Sequence, residues 1–172
     1  MLKKISLFFL VFIITSAFGG LTGYGAEDLG TGVSDEAYHN QKGLSHFKKG
    51  FYSLTPQHRK EEASQEYGLA IKEFQKAITL NKKSVQAHRN LARVYDVQKR
   101  YLEAAEEYKQ VTDLEPMDID TYVLTALAYT QIQRYDEAIE QLEIAKTFAT
   151  DEAVIDKLSE YIEKVEQEKE SR

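Results

Sequence analysis

The side chains here that can do chemistry are four histidines and a large set of carboxylates. There is no cysteine among the 172 residues. Metal ligands on one helix stand three or four residues apart. His39, His46, His58 and His88 offer no such pair. His39 and His46 share a helix face at a spacing of seven, two turns apart. The lack of cysteine excludes disulfides, thiolate metal sites, cysteine nucleophiles and an N-terminal lipid on cysteine. The glycines between Gly19 and Gly32 neither follow a strand nor open a helix, so they are not a phosphate loop. Carboxylates abound, and those of the helical patterns fall on exposed faces. The expectation is a non-enzymatic chain with no cofactor, no metal and no small-molecule substrate.

Binding is the remaining class of function. Composition narrows it. The chain is 42% apolar and 29% charged with two prolines, which suits one globular, largely helical domain. A formal charge of −6 argues against nucleic acid, which needs a clustered basic surface.

Residues 1–17 read as a secretory signal peptide. Lys3 and Lys4 precede an apolar run from Ile5 to Ile14, and Thr15-Ser16-Ala17 offers a cleavage site. An uncleaved signal anchor is the alternative, in which case this segment is the one membrane contact. In both cases the lysines stay cytoplasmic and the rest of the chain is exported. The periplasm or cell envelope of a bacterium fits best. Residues 18–33 are glycine-rich and aperiodic, which predicts a flexible linker.

The body of the chain repeats itself. Ala92, Tyr95, Arg100, Tyr101, Glu103 and Ala104 return 34 residues later as Ala126, Tyr129, Arg134, Tyr135, Glu137 and Ala138. A fixed period of that size marks a solenoid of helical hairpins. The expected helices are Val85–Gln98 and Tyr101–Leu114, then Ile119–Ile132 and Tyr135–Thr147. Ser84 and Asp118 are expected N-caps. Pro116 stops the helix that ends at Leu114.

An earlier copy is legible in Tyr67, Ala70, Phe74 and Ala77, which match Tyr101, Ala104, Tyr108 and Val111. Its first helix is expected from about Asp35 to Phe51, capped by Ser34, with Gly43 at a close crossing. This copy is fifteen residues too long, and the excess lies near 50–66. Thr55-Pro56 reads as an N-cap and first helical residue, so the second helix is expected from near Pro56; a loop is the alternative. The insertion is either a neutral length variation or an added contact surface. Thr150 is an expected cap for a last helix. Its stripe of Val154, Leu158, Tyr161, Ile162 and Val165 suits a terminal cap.

These repeats resemble the tetratricopeptide repeat, or TPR. The resemblance implies an all-α, right-handed α-solenoid of about three helical hairpins over residues 34–150. The repeats are 36–84, with the insertion, then 85–118 and 119–152, and a capping helix follows at 151–172. It also implies protein binding on a concave groove lined by the first helices. The matching positions are Asn40, Leu44, Phe47 and Lys48; Gln86, Arg89, Asn90 and Arg93; and Val123, Leu127, Thr130 and Gln131. Arg89 and Arg93 can fork onto a ligand's carboxylates or onto those of a neighbouring helix. Val123 and Leu127 either line the groove or pack inward. His88 stands where the family has a large aromatic, which predicts a looser contact. Some TPR adaptors grip a carboxyl terminus with five lysine, asparagine and arginine residues. Only Asn90 fits, and Asn40, Leu44, Asp120 and Leu124 hold the other places. The implied function is a protein-binding scaffold or adaptor outside the cytoplasm. A structural subunit or assembly factor of a cell-envelope complex, working through helix edges and the insertion, is the alternative.

Overall fold

A computed structural model describes residues 34–171. The signal segment and glycine-rich linker expected at 1–17 and 18–33 lie outside the described residues. Within them are seven α-helices and no strand: α1 Asp35–Lys48, α2 Lys60–Leu80, α3 Val85–Val97, α4 Tyr101–Leu114, α5 Ile119–Gln131, α6 Tyr135–Phe148 and α7 Glu152–Glu170. They pack in chain order as three antiparallel hairpins, α1/α2, α3/α4 and α5/α6, with α7 laid on α6. None of these helices is long and apolar enough to cross a membrane.

The helix starts follow from short polar side chains that accept the free backbone N–H groups. Ser34 accepts from Ala37, Ser84 from Ala87 and Asp118 from Thr121. The last helix is capped by Asp151 and not by Thr150, because the carboxylate reaches the N–H groups of both Ala153 and Val154. The second helix of each hairpin begins differently. A left-handed residue makes the turn: His58, Lys99 and Gln133, at φ of 58°, 60° and 64°. An arginine then pairs with a glutamate three residues on: Arg59 with Glu62, Arg100 with Glu103 and Arg134 with Glu137.

Small residues set the distance between helices. Ala92, Ala104 and Ala138 are wholly buried, and Ala126 nearly so. In the first hairpin Gly43 stands against Phe74, where an added Cβ would come within 2.7 Å of the ring. The buried side chains form two clusters. One joins α1 to α4 around Phe47, Phe74, Leu91 and Tyr108, and the other joins α4 to α7 around Tyr122, Ala138, Leu142 and Leu158.

The first hairpin departs from the expectation at its tip. After Lys48 the chain does not leave the helix but widens into a π-helical segment, Lys49–Leu54. Thr55 does not cap the next helix. Its hydroxyl donates back to the Gly50 carbonyl at 2.9 Å, so α2 starts only at Lys60. The cause is visible in the register. His46 corresponds to Tyr95, and Glu66 to Arg100. The turn motif of left-handed residue, arginine and glutamate has moved outward, by seven residues on α2 and eight on α1. Seven residues make two α-turns, about 10.5 Å of helix. The extra residue on the other strand of the hairpin is absorbed by the wider π turn. The insertion is therefore neither a loop nor an extension of one helix. It is a two-turn lengthening of both, filled by Phe51, Leu54, Ala63 and Tyr67.

Two outcomes test this packing. Gly43→Ala gains helix propensity of about 1 kcal/mol but drives a methyl into Phe74, where overpacking costs ~1–3 kcal/mol; urea unfolding is expected to show a net loss. Removing residues 51–65 returns the hairpin to the length of its neighbours and puts Gly50 on the left-handed turn position. The shortened chain is expected to stay helical and unfold cooperatively in circular dichroism. A non-cooperative melt would contradict the register assigned here.

Candidate functional site

The residues expected to bind a partner lie on the first helices α1, α3 and α5. Lys48, Gln86, Arg93 and Gln131 are exposed. Leu44, Val123 and Leu127 are half-buried; Leu44 packs on the first cluster and Val123 on the second. Phe47 and Thr130 are buried and form the floor beneath the face. The Thr130 hydroxyl is occupied by the Ala126 carbonyl at 2.9 Å. Asn90 donates to Asn40 Oδ1 at 3.0 Å, which ties α3 to α1 across the face.

The two arginines have different surroundings. Arg89 Nη2 meets Glu115 at 2.8 Å and Asp118 at 2.7 Å, so its charge is met within the chain. These carboxylates sit at the α4–α5 turn, and Arg89 fastens that turn to α3. Arg93 lies over the Phe47 ring, with Cζ 5.6 Å from the centroid.

Three of the histidines have a role the spacing did not reveal. Each joins the first helix of its hairpin to the second. His39 Nδ1 lies 2.6 Å from Glu73, His46 Nδ1 2.7 Å from Glu66 and His88 Nδ1 2.6 Å from Glu107. His39 and His88 occupy one repeat position, and Glu73 and Glu107 another; the third repeat has Tyr122 and Gln141 there. At the turn end, His46 and Glu66 stand where the other repeats place Arg100 over Tyr95 at 4.3 Å and Arg134 over Tyr129 at 4.9 Å. The signal lay in the register: the glutamates recur at 34 residues and the histidines at 49, the lengthened repeat. Among the described residues no cluster of three or more ligating side chains can hold a metal ion.

His88 was expected to loosen its contact, and it does the reverse. It is buried, with Glu107 on Nδ1 and the Lys82 carbonyl 3.2 Å from Nε2. Both ring nitrogens face acceptors, so both must donate, which requires the imidazolium. The Glu107 hydrogen bond raises the His88 pKa, against the opposing effect of burial. Burial pushes the Glu73 carboxyl up, but hydrogen bonds from His39, Lys76 and Lys42 outweigh it and hold it at about 2. Glu66 is lowered by hydrogen bonds from Lys49, at 2.5 Å, and His46.

Cavities adjoin the helices among the described residues. One of about 320 Å³ lies between the lengthened hairpin and the end of α3, beside Ala63, Tyr67 and Val97. Another, about 270 Å³, lies between α4 and α6 over Tyr122 and Tyr129. The residues expected to bind a partner line neither.

The fold can now be set beside known proteins. The profile of the tetratricopeptide repeat matches residues 61–119 and 101–153, together more than half of the chain. The chain belongs to the tetratricopeptide repeat family. Its hairpins are TPR units in a right-handed α-solenoid, the architecture of a protein-interaction scaffold. No curated protein matches it in sequence. Among solved structures it is similar to the TPR2B domain of yeast Sti1 in a pHsp70 complex, with TM-score 0.60, 16% identity and coverage of 79% of this chain and 99% of that one. It is similar to the type III secretion translocator chaperone SycD of Yersinia enterocolitica, with TM-score 0.60, 18% identity and coverage of 87% and 97%. The first TPR of Spaghetti (RPAP3), bound to the HSP90 peptide SRMEEVD, gives TM-score 0.53, 19% identity and coverage of 74% and 93%. Such identities speak for the shared fold.

The polar pairs predict a pH profile with two edges. Glu73 and Glu66 have folded pKa values below their unfolded ones, so their contribution is present above pH ~4.5 and is lost as pH falls through the folded values, down to about 2 for Glu73. His88 has a raised folded pKa, so its contribution is complete below about 6.5 and is lost as pH rises through the folded value. Urea midpoints measured against pH are expected to decline on both sides. In Glu107→Gln the decline above neutral pH is expected to flatten while the acid edge stays.

Proposed function

We propose that this protein is a non-enzymatic adaptor that holds a peptide or protein segment on the concave face of α1, α3 and α5, outside the cytoplasm. One observation carries the reading. The first helices leave exposed polar and cationic groups, Lys48, Gln86, Arg93 and Gln131, beside half-buried apolar ones, Leu44, Val123 and Leu127. A segment laid across that face would find both kinds of partner within one strip.

Similarity supports the same reading. The Sti1 domain was solved with pHsp70 and the RPAP3 domain with an HSP90 peptide. The carboxyl-terminal clamp does not carry over, since its five places hold Asn40, Leu44, Asn90, Asp120 and Leu124 here. Asn90 and Asn40 are also engaged with each other. Export rests on residues 1–17, with their two lysines, apolar run and small-residue site. The site of action that follows is the periplasm or envelope of a bacterium, with membrane contact only through that segment if it is retained.

Site-specific photocrosslinking in the native cell tests face and partner together. A photoreactive residue at Gln86 or Gln131 is expected to capture a defined protein, and one at Lys72 or Glu106 on the second helices is not. Capture only from Gln57, at the tip of the lengthened hairpin, would move the interface there and favour a structural subunit of an envelope complex.

A further inference from the structure

The concave face carries its charge unevenly. Residues 37–60 contain five lysines and arginines and no Asp or Glu, in a chain whose formal charge is −6. Much of this excess is met internally: Lys42 reaches Glu73, Lys49 reaches Glu66 and Arg59 reaches Glu62. Arg89, on the next first helix, is met by Glu115 and Asp118.

Two cations of the face are left over. Among the described residues neither Lys48 nor Arg93 enters an ion pair, and both are exposed. Arg93 is nonetheless held in place, its guanidinium over the Phe47 ring at 5.6 Å. Lys48 follows Phe47 directly, and Phe51 stacks on the same ring at 5.6 Å with its own side chain partly exposed. The nearest acid along α3 is Asp96, one turn on from Arg93. It is half-buried and makes no ion pair with Arg93. Over the third repeat the face changes character to Val123, Leu127 and Gln131, with no cation and with the exposed Asp120, in no ion pair among the described residues, one turn before Val123.

We infer that the groove selects a segment with two unlike halves, one bearing carboxylates that settle on Lys48 and Arg93 beside Phe51, the other bearing apolar side chains that cover Val123 and Leu127. The assignment rests on the groove-binding reading and adds the ligand's chemistry to it. An exposed guanidinium stacked on an aromatic ring is pre-oriented, so it loses less freedom than a free side chain when it forks onto a carboxylate. Placing the charge contacts at one end and the apolar contacts at the other also sets the direction in which the segment lies.

Fluorescence anisotropy on the full chain tests this with short synthetic peptides. They share one apolar half and carry glutamates, glutamines or lysines in the other half, in both chain directions. The glutamate peptide is expected to bind in one direction, about tenfold or more tighter than the glutamine peptide, and to weaken with added salt. Lys48→Glu with Arg93→Glu is expected to reverse the order and favour the lysine peptide. Both sites are exposed, and an unchanged circular dichroism melt shows that the variant is folded. Equal binding of glutamate and glutamine peptides, or an unchanged order in the variant, overturns the charge assignment and leaves groove binding standing. Failure of every peptide to bind overturns both.

Discussion

Every feature of this chain depends on how closely the two helices of each hairpin can approach. The crossing points are occupied by Gly43, Ala92, Ala104, Ala126 and Ala138, all buried. At Gly43 the Phe74 ring fills the space that a side chain would need. That proximity lets histidine and tyrosine on a first helix reach glutamate and arginine on its second. It also sets α3 beside α1, so that Asn90 reaches Asn40 and Arg93 lies over Phe47 although they are far apart in sequence.

The lengthened hairpin shows how the family's geometry tolerates an insertion. Fifteen extra residues divide into seven and eight, and the same turn chemistry reappears at the new tip as His58, Arg59 and Glu62. An α-helix accepts whole turns without rotating its buried stripe. The odd residue would rotate that stripe, and the π segment Lys49–Leu54 absorbs it. The base of the extension is fastened by His46 and Lys49 on Glu66, and its interior by the Thr55 hydroxyl, 3.0 Å from the Tyr67 hydroxyl.

Electrostatics divides the polar residues into those that hold the fold and those that remain for a partner. Glu66, Glu73 and Glu107 are spent on histidines and lysines within the chain, and Arg89 on the α4–α5 turn. What stays unpaired on the first-helix face is small in number and divided along the stack, Lys48 and Arg93 on α1 and α3 and Asp120 on α5. The histidines thus act as struts between helices. They occupy positions where other repeats use aromatic contacts, such as Arg100 on Tyr95 and Tyr122 stacked on Phe148.

The sequence by itself determined the repeats, the helices and most of their caps, because these depend on local spacing. The 34-residue offset, the alanine and tyrosine positions, and Ser34, Ser84 and Asp118 were all legible without coordinates. It also displayed the candidate face, since helical periodicity states which residues share a side. Only the tertiary structure decided which of them a neighbour already occupies. Arg89 and Arg93 are equivalent on a helical wheel, yet one is neutralised by Glu115 and Asp118 from another helix and turn while the other is not. The path of the insertion was likewise beyond local reading. Thr55-Pro56 has the chemistry of a helix start, but the Gly50 carbonyl accepts both the Thr55 N–H, closing the π turn, and the Thr55 hydroxyl. The histidine struts pair residues 19 to 34 positions apart, and a side chain's partner at that distance is set by helix packing rather than by its neighbours in sequence.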